Sequence, residues 1–108
     1  MLEGVTQAAR RPLKIFASDP LLGRTFGNRS RIDVINERLL PGPVGSRLEV
    51  IDYDSAQQCF YTPVNLDNAA ILMQGGLEPS ESDPRFHQQM VYAVAQKTLE
   101  NFDRALAS

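Results

Sequence analysis

The residues from Asp83 to Leu106 constrain this chain more than any others. Asp83-Pro84 is a helix start, a capping carboxylate followed by the proline that a first helical position tolerates. From there Phe86, Met90, Val91, Val94, Thr98, Leu99, Phe102 and Leu106 recur at spacings of three and four, the period of a helix with one apolar stripe. The pattern predicts a helix over 84–106, roughly 35 Å long at about 1.5 Å per residue. A chain of 108 residues has room for one domain with a modest core. Such a helix is as long as that domain is wide, so part of its stripe is expected to lack a partner within the chain. Phe86, Met90, Val94, Leu99 and Phe102 are the candidate residues of a protein–protein interface.

The preceding residues read as a small antiparallel meander of three to four strands. Leu13–Ala17, between Pro12 and the Asp19-Pro20 turn signal, is a first strand, and Pro20–Asn28 is a glycine-bearing loop. Ser30–Leu40 gathers Ile32, Val34 and Ile35 into a second strand, with Val34 and Ile35 on opposite sides. Pro41-Gly42-Pro43-Val44-Gly45 is a turn, expected to join that strand in a hairpin to Arg47–Tyr53. In the latter run Leu48 and Val50 share one side and Glu49, Ile51 and Tyr53 the other. Cys59–Thr62 is a third apolar run, which Pro63 ends or confines to an edge. Asp67 is placed to cap a short helix over 68–74, closed by Gly75-Gly76. The predicted fold class is therefore α+β, a small antiparallel sheet, one short helix and a long C-terminal α-helix. Residues 1–11 read as a flexible tail and 12–108 as one domain, β-rich over 12–66 and helical over 67–108.

The residue inventory restricts the chemistry open to this chain. One cysteine excludes an internal disulfide and one histidine leaves no pair of soft ligands at metal-binding spacing, because Cys59 and His87 fall on different elements. Cys59 lies in an apolar run, where thiols are usually inert core groups. His87 sits in the first helical turn, where the positive end of the helix dipole disfavours its protonation. Asp52 and Asp54 share a face if their strand extends through both, yet acids entering a polar loop are usually just solvated. The glycines fit neither a phosphate-cradling loop nor a dinucleotide fingerprint. The residues thus predict no catalytic residue, no metal ligand and no cofactor in this chain; an enzyme using His87 with a nearby carboxylate is the least favoured reading.

Charge is uneven: the first fifty residues carry eight Lys/Arg against five Asp/Glu, the remainder three against eight. Arg10, Arg11, Lys14, Arg24, Arg29 and Arg31 are scattered, without a recognition-helix pattern or interleaved aromatics, and read as a solvated face rather than a nucleic-acid contact. No apolar run reaches membrane-spanning length and no leader pattern opens the chain, so the expectation is a cytoplasmic protein without a membrane partner.

The phrase SESDPRFHQQMVYAVAQKTLENFDRAL, from Ser80 to Leu106, resembles a segment of large bacterial proteins similar to zinc metallopeptidases of the gluzincin, or thermolysin-like, kind. RRPLKIFASDPLLGRTFGNR, LLPGPVGSRLEVIDYD and YTPVNLDNAAILMQGGLEPSESDPRFHQQM resemble the region before that helix in the same proteins, so the likeness spans about Arg10 to Leu106. The resemblance implies a β-rich N-terminal part leading into a long helix that packs against catalytic helices. The His-Glu-x-x-His motif of the family does not occur here, and no catalytic or zinc-binding residue carries over. The expected function is that of a non-catalytic N-terminal domain or fragment, its long helix packed on a catalytic domain outside these 108 residues. The alternative is a free-standing module that homodimerises, or binds another protein, through the same helix.

Overall fold

The computed structural model describes residues 10–16 and 29–107, so residues 1–9 of the expected tail over 1–11, and the loop over 20–28, lie outside the described residues. The order of elements is β1 (Arg10–Phe16), β2 (Arg29–Ile35), β3 (Tyr53–Asp54), β4 (Cys59–Phe60), α1 (Ala69–Met73) and α2 (Pro84–Ala107). This is an α+β fold, with two small antiparallel strand pairs, a short helix and a long C-terminal helix.

β1 starts at Arg10, ahead of the expected domain boundary at 11/12, because Arg11 belongs to the alternation. Arg11, Leu13 and Ile15 point inward at every second position. β1 pairs with β2 over its whole length, from Arg10↔Ile35 to Phe16↔Arg29. Val34 is fully buried and Ile35 exposed, the opposite facing that the sequence predicts. Pro12 is tolerated because, among the described residues, β1 has a strand on one side only.

The expected hairpin between 30–40 and 47–53 does not form, and β2 takes β1 as its partner instead. Pro41 and Pro43 have no N–H to contribute to a ladder, so the segment folds on itself in single bridges. Leu40 and Val44 exchange N–H···O bonds of 3.0 and 2.9 Å, Gly45 N–H donates to Leu48 O, Val50 N–H to Pro43 O, and Gly42 N–H to Val64 O. The facing predicted for 47–53 holds without a strand: Leu48 and Val50 pack on the core, while Ile51 and Tyr53 are exposed.

Asn68, not Asp67, caps α1, accepting from Ala70 and Ile71 N–H. The Asp67 carboxylate is taken by Arg11 at 2.6 Å and by Leu39 N–H at 2.9 Å. Gly75 and Gly76 follow at φ of 73° and 94°, the left-handed closure that glycine permits. Asp83 caps α2 by accepting Arg85 N–H at 2.9 Å. Leu13, Ile15, Val34, Leu39, Val64, Leu66, Tyr92 and Ala93 form the core between the β1–β2 pair, the irregular segments and α2.

A polar network ties the segment after β2 to this core. Tyr92 hydroxyl donates to Glu37 at 3.0 Å and Ser46 N–H donates to the other oxygen of the same carboxylate at 3.1 Å. Burial pushes the Glu37 carboxyl up, but those donors and the Arg11 charge outweigh it and hold it below the usual carboxylate range. Burial likewise raises Asp67, and Leu39 N–H with Arg11 outweighs it. The Arg10 guanidinium lowers Asp33 directly. A carboxyl depressed in the folded state stabilises above its unfolded pKa and loses that contribution as pH falls through the folded value. The urea midpoint is therefore expected to drop below about pH 4, the unfolded range of Asp and Glu, with no loss from these groups between about pH 5 and 7.

Candidate interaction surface

α2 turns a mixed face of glutamines and apolar residues inward and leaves part of its apolar stripe outward. Gln88, Gln89 and Gln96 are at most 3 % exposed, alongside Phe86, Tyr92 and Ala93. At about 100° per residue, Val91, Val94, Thr98 and Phe102 lie on the opposite arc; Ala95 and Leu106 stand at its edge, Leu106 at the angle of Gln88 but on the last turns, where residues 101–107 are all exposed. Val91 and Val94 are exposed, Phe102 is 60 % exposed and Leu106 71 %.

The glutamines explain how a partly polar face becomes a core face. Buried polar groups are tolerated when hydrogen-bonded, and irregular segments present backbone groups in need of partners. Gln88 accepts Val64 N–H at 2.8 Å and donates to Thr62 O at 3.3 Å. Gln89 accepts Leu77 N–H at 2.7 Å and donates to Lys14 O at 2.8 Å and Leu77 O at 3.2 Å. The two side chains fasten the residue 62–64 segment, the residue 77 segment and β1 to one helix. Gln96 Oε1 is buried without a hydrogen-bond partner among the described residues.

The outward arc carries no Lys, Arg, Asp or Glu from Val91 to Leu106, a length of about 22 Å. Its one hydroxyl, on Thr98, already donates to Val94 O at 2.8 Å, so covering it leaves no donor unpaired. Contiguous apolar surface of this kind marks interaction sites.

The five residues expected at an interface are divided by this geometry. Val94 and Phe102 stand on the exposed arc, and Leu99 is half-buried at its margin. Met90 is packed against the core. Phe86 is removed from the surface, 2 % exposed and edge-to-face with Phe16 at 5.2 Å between ring centroids. Val91 completes the exposed arc and Leu106 extends its edge on the last turns; both were in the apolar stripe, and plotting the angle of Val91 against the charge-free arc is the signal that finds it.

The other side chains weighed for chemistry lie apart. Cys59 is exposed rather than in a core, because both residues of β4 face solvent. His87 is exposed on the first turn of α2. Asp54 is occupied in a turn, accepting Ala56 and Gln57 N–H at 3.0 and 3.3 Å and the Tyr61 hydroxyl at 3.2 Å. Among the described residues no three His, Cys, Asp or Glu side chains could hold a metal ion. Of the basic residues, Arg10 pairs with Asp33 and Glu100, Arg11 with Asp67 and Lys14 with Glu78. No helix among the described residues is long and apolar enough to cross a membrane. No family model, no curated protein and no solved structure matches this chain.

Proposed function

We propose that this chain is a non-catalytic docking domain whose long helix covers, and is covered by, a second folded domain. The observation that carries the reading is the division of α2: three glutamines are buried beside Phe86, Tyr92 and Ala93 while Val91, Val94, Phe102 and Leu106 remain exposed. A helix whose apolar arc is unused inside its own domain gains by burying that arc against another surface, at about 25 cal/mol per Å² of apolar area. The resemblance of residues 10–106 to the region preceding the catalytic part of gluzincin-like proteins makes a zinc-metallopeptidase catalytic domain the favoured partner. The absence of charge along the arc favours one second reading, a homodimer, because two copies can meet there without like charges opposed.

The test is Val94→Lys combined with Phe102→Glu, two good helix formers at exposed positions. Unfolding free energy is expected to change by no more than about 0.5 kcal/mol. Co-expressed with a gluzincin-type catalytic domain from the same genome, the unaltered chain is expected to co-purify at equal stoichiometry and the double variant to fail. Self-association abolished by the same pair of substitutions would establish the homodimer instead. A monomer that the catalytic domain ignores would contradict both.

A further inference from the structure

A second surface lies away from the outward arc of α2, where the segment 41–52 and the end of β4 enclose a groove of about 160 Å³. Its lining is mostly apolar, with Val44, Val50, Pro63, Phe60 and Tyr61, and Gln88 of α2 also borders it. Both rings are exposed, Phe60 to 65 %. They are nevertheless held in place: Phe60 stacks edge-to-face on Tyr53 at 4.9 Å, and Tyr61 is fixed by its N–H to Asp52 O at 2.9 Å and its hydroxyl to Asp54.

Two carboxylates, Glu49 and Asp52, line the same groove. Asp52 has one long contact, from Gln88 Nε2 at 3.4 Å, and Glu49 has no hydrogen-bond or ion-pair partner among the described residues. The chain contains no Lys or Arg between Arg47 and Arg85, and Arg47 is itself paired with Asp103. The local field is accordingly negative; the Tyr61 phenol is pushed up by its bond to Asp54 and by the charges of Asp54 and Asp52.

Volume and chemistry select the ligand. The groove is smaller than the roughly 300–1,000 Å³ of metabolite pockets, so it suits one side chain. Rigid aromatic faces beside carboxylates favour a flat cation, which can stack on a ring and accept nothing while donating to both acids. A methylene stem fits the apolar walls. We infer that this groove receives an arginine side chain presented by a protein partner. The inference is independent of the exposed arc of α2, since of that helix only the buried Gln88 borders the groove.

The experiment is an NMR titration of the isotope-labelled chain with N-acetyl-arginine amide, and in parallel with the neutral citrulline analogue. Arginine amide is expected to shift the amides of Ile51, Asp52, Phe60 and Tyr61 saturably, with a Kd on the order of 1 mM for so small a probe. Glu49→Gln is expected to weaken binding about threefold to fivefold, the size of an exposed ion pair; Phe60→Ala, at an exposed ring, tests the stacking in the same way. Val94→Lys with Phe102→Glu is expected to leave the titration unchanged, which separates this site from the docking surface. Absence of saturable shifts at those four amides, or equal shifts with citrulline, would overturn the inference.

Discussion

Replacing Arg11 by alanine is expected to lower the unfolding free energy by about 3–4 kcal/mol, the range for removing one member of a buried charge pair. Arg11 is 5 % exposed and donates to four acceptors: Asp67 at 2.6 Å, Glu37 O at 2.8 Å, Leu66 O at 3.2 Å and Asn36 Oδ1 at 3.2 Å. Alanine takes the guanidinium from two carbonyls, the Asn36 amide oxygen and the Asp67 carboxylate, which keeps only Leu39 N–H, and opens a void beneath β1. The partial exposure of Asp67 keeps the figure below the upper end of that range. A domain of this size has about 5–15 kcal/mol in all, so the variant stands near the edge of folding. Arg11→Lys keeps the charge but not the fork that reaches several acceptors at once, and is expected to lose about half as much. Urea unfolding with an unchanged slope is the measurement. A loss under about 1 kcal/mol would mean that water replaces Arg11 without difficulty.

Gln89→Leu is expected to cost about 2–4 kcal/mol although leucine fills nearly the same space. The loss is one of pairing rather than packing: Lys14 O, Leu77 N–H and Leu77 O lose their partner in a partly buried place. Shape adds to chemistry at the neighbouring residue. A Cβ on Gly76 would stand 2.9 Å from both polar atoms of the Gln89 amide, at a φ of 94° that disfavours any side chain. Gly76→Ala is thus expected to disturb the same clasp from the other side. Hydrogen exchange at Leu77 N–H gives the local readout: protected in the native chain, and exchanging faster in Gln89→Leu. Undiminished protection there would show that the clasp contributes nothing.

The elements legible in the sequence were those written in local signals. Asp83-Pro84 marked the start of α2, Gly75-Gly76 the end of α1, and alternation set the facing of Leu48 and Val50. What escaped was decided by partners distant in the chain. Asp67 and Asn68 are equally good caps on local grounds, and Arg11, 56 residues away, removes Asp67 from the competition. β2 has two candidate partners of similar composition, and the prolines at 41 and 43 weaken the nearer one. The facing of α2 was misjudged most at Phe86, because glutamine is ordinarily a surface residue and the apolar stripe was taken whole. Only the backbone groups of the 62–64 and 77 segments, which need partners, make Gln88 and Gln89 core residues.

A docking surface on the outward arc of α2 would hold its partner within reach of a photo-crosslinker in living cells of the source organism. A benzoyl-phenylalanine at position 94 or 102 is compared with one at Met73, which is 88 % exposed but off α2. The account predicts discrete crosslinks from 94 and 102, identified by mass spectrometry as a His-Glu-x-x-His domain or a second copy of this chain, and none from 73. Crosslinks no stronger at 94 and 102 than at 73 would contradict it.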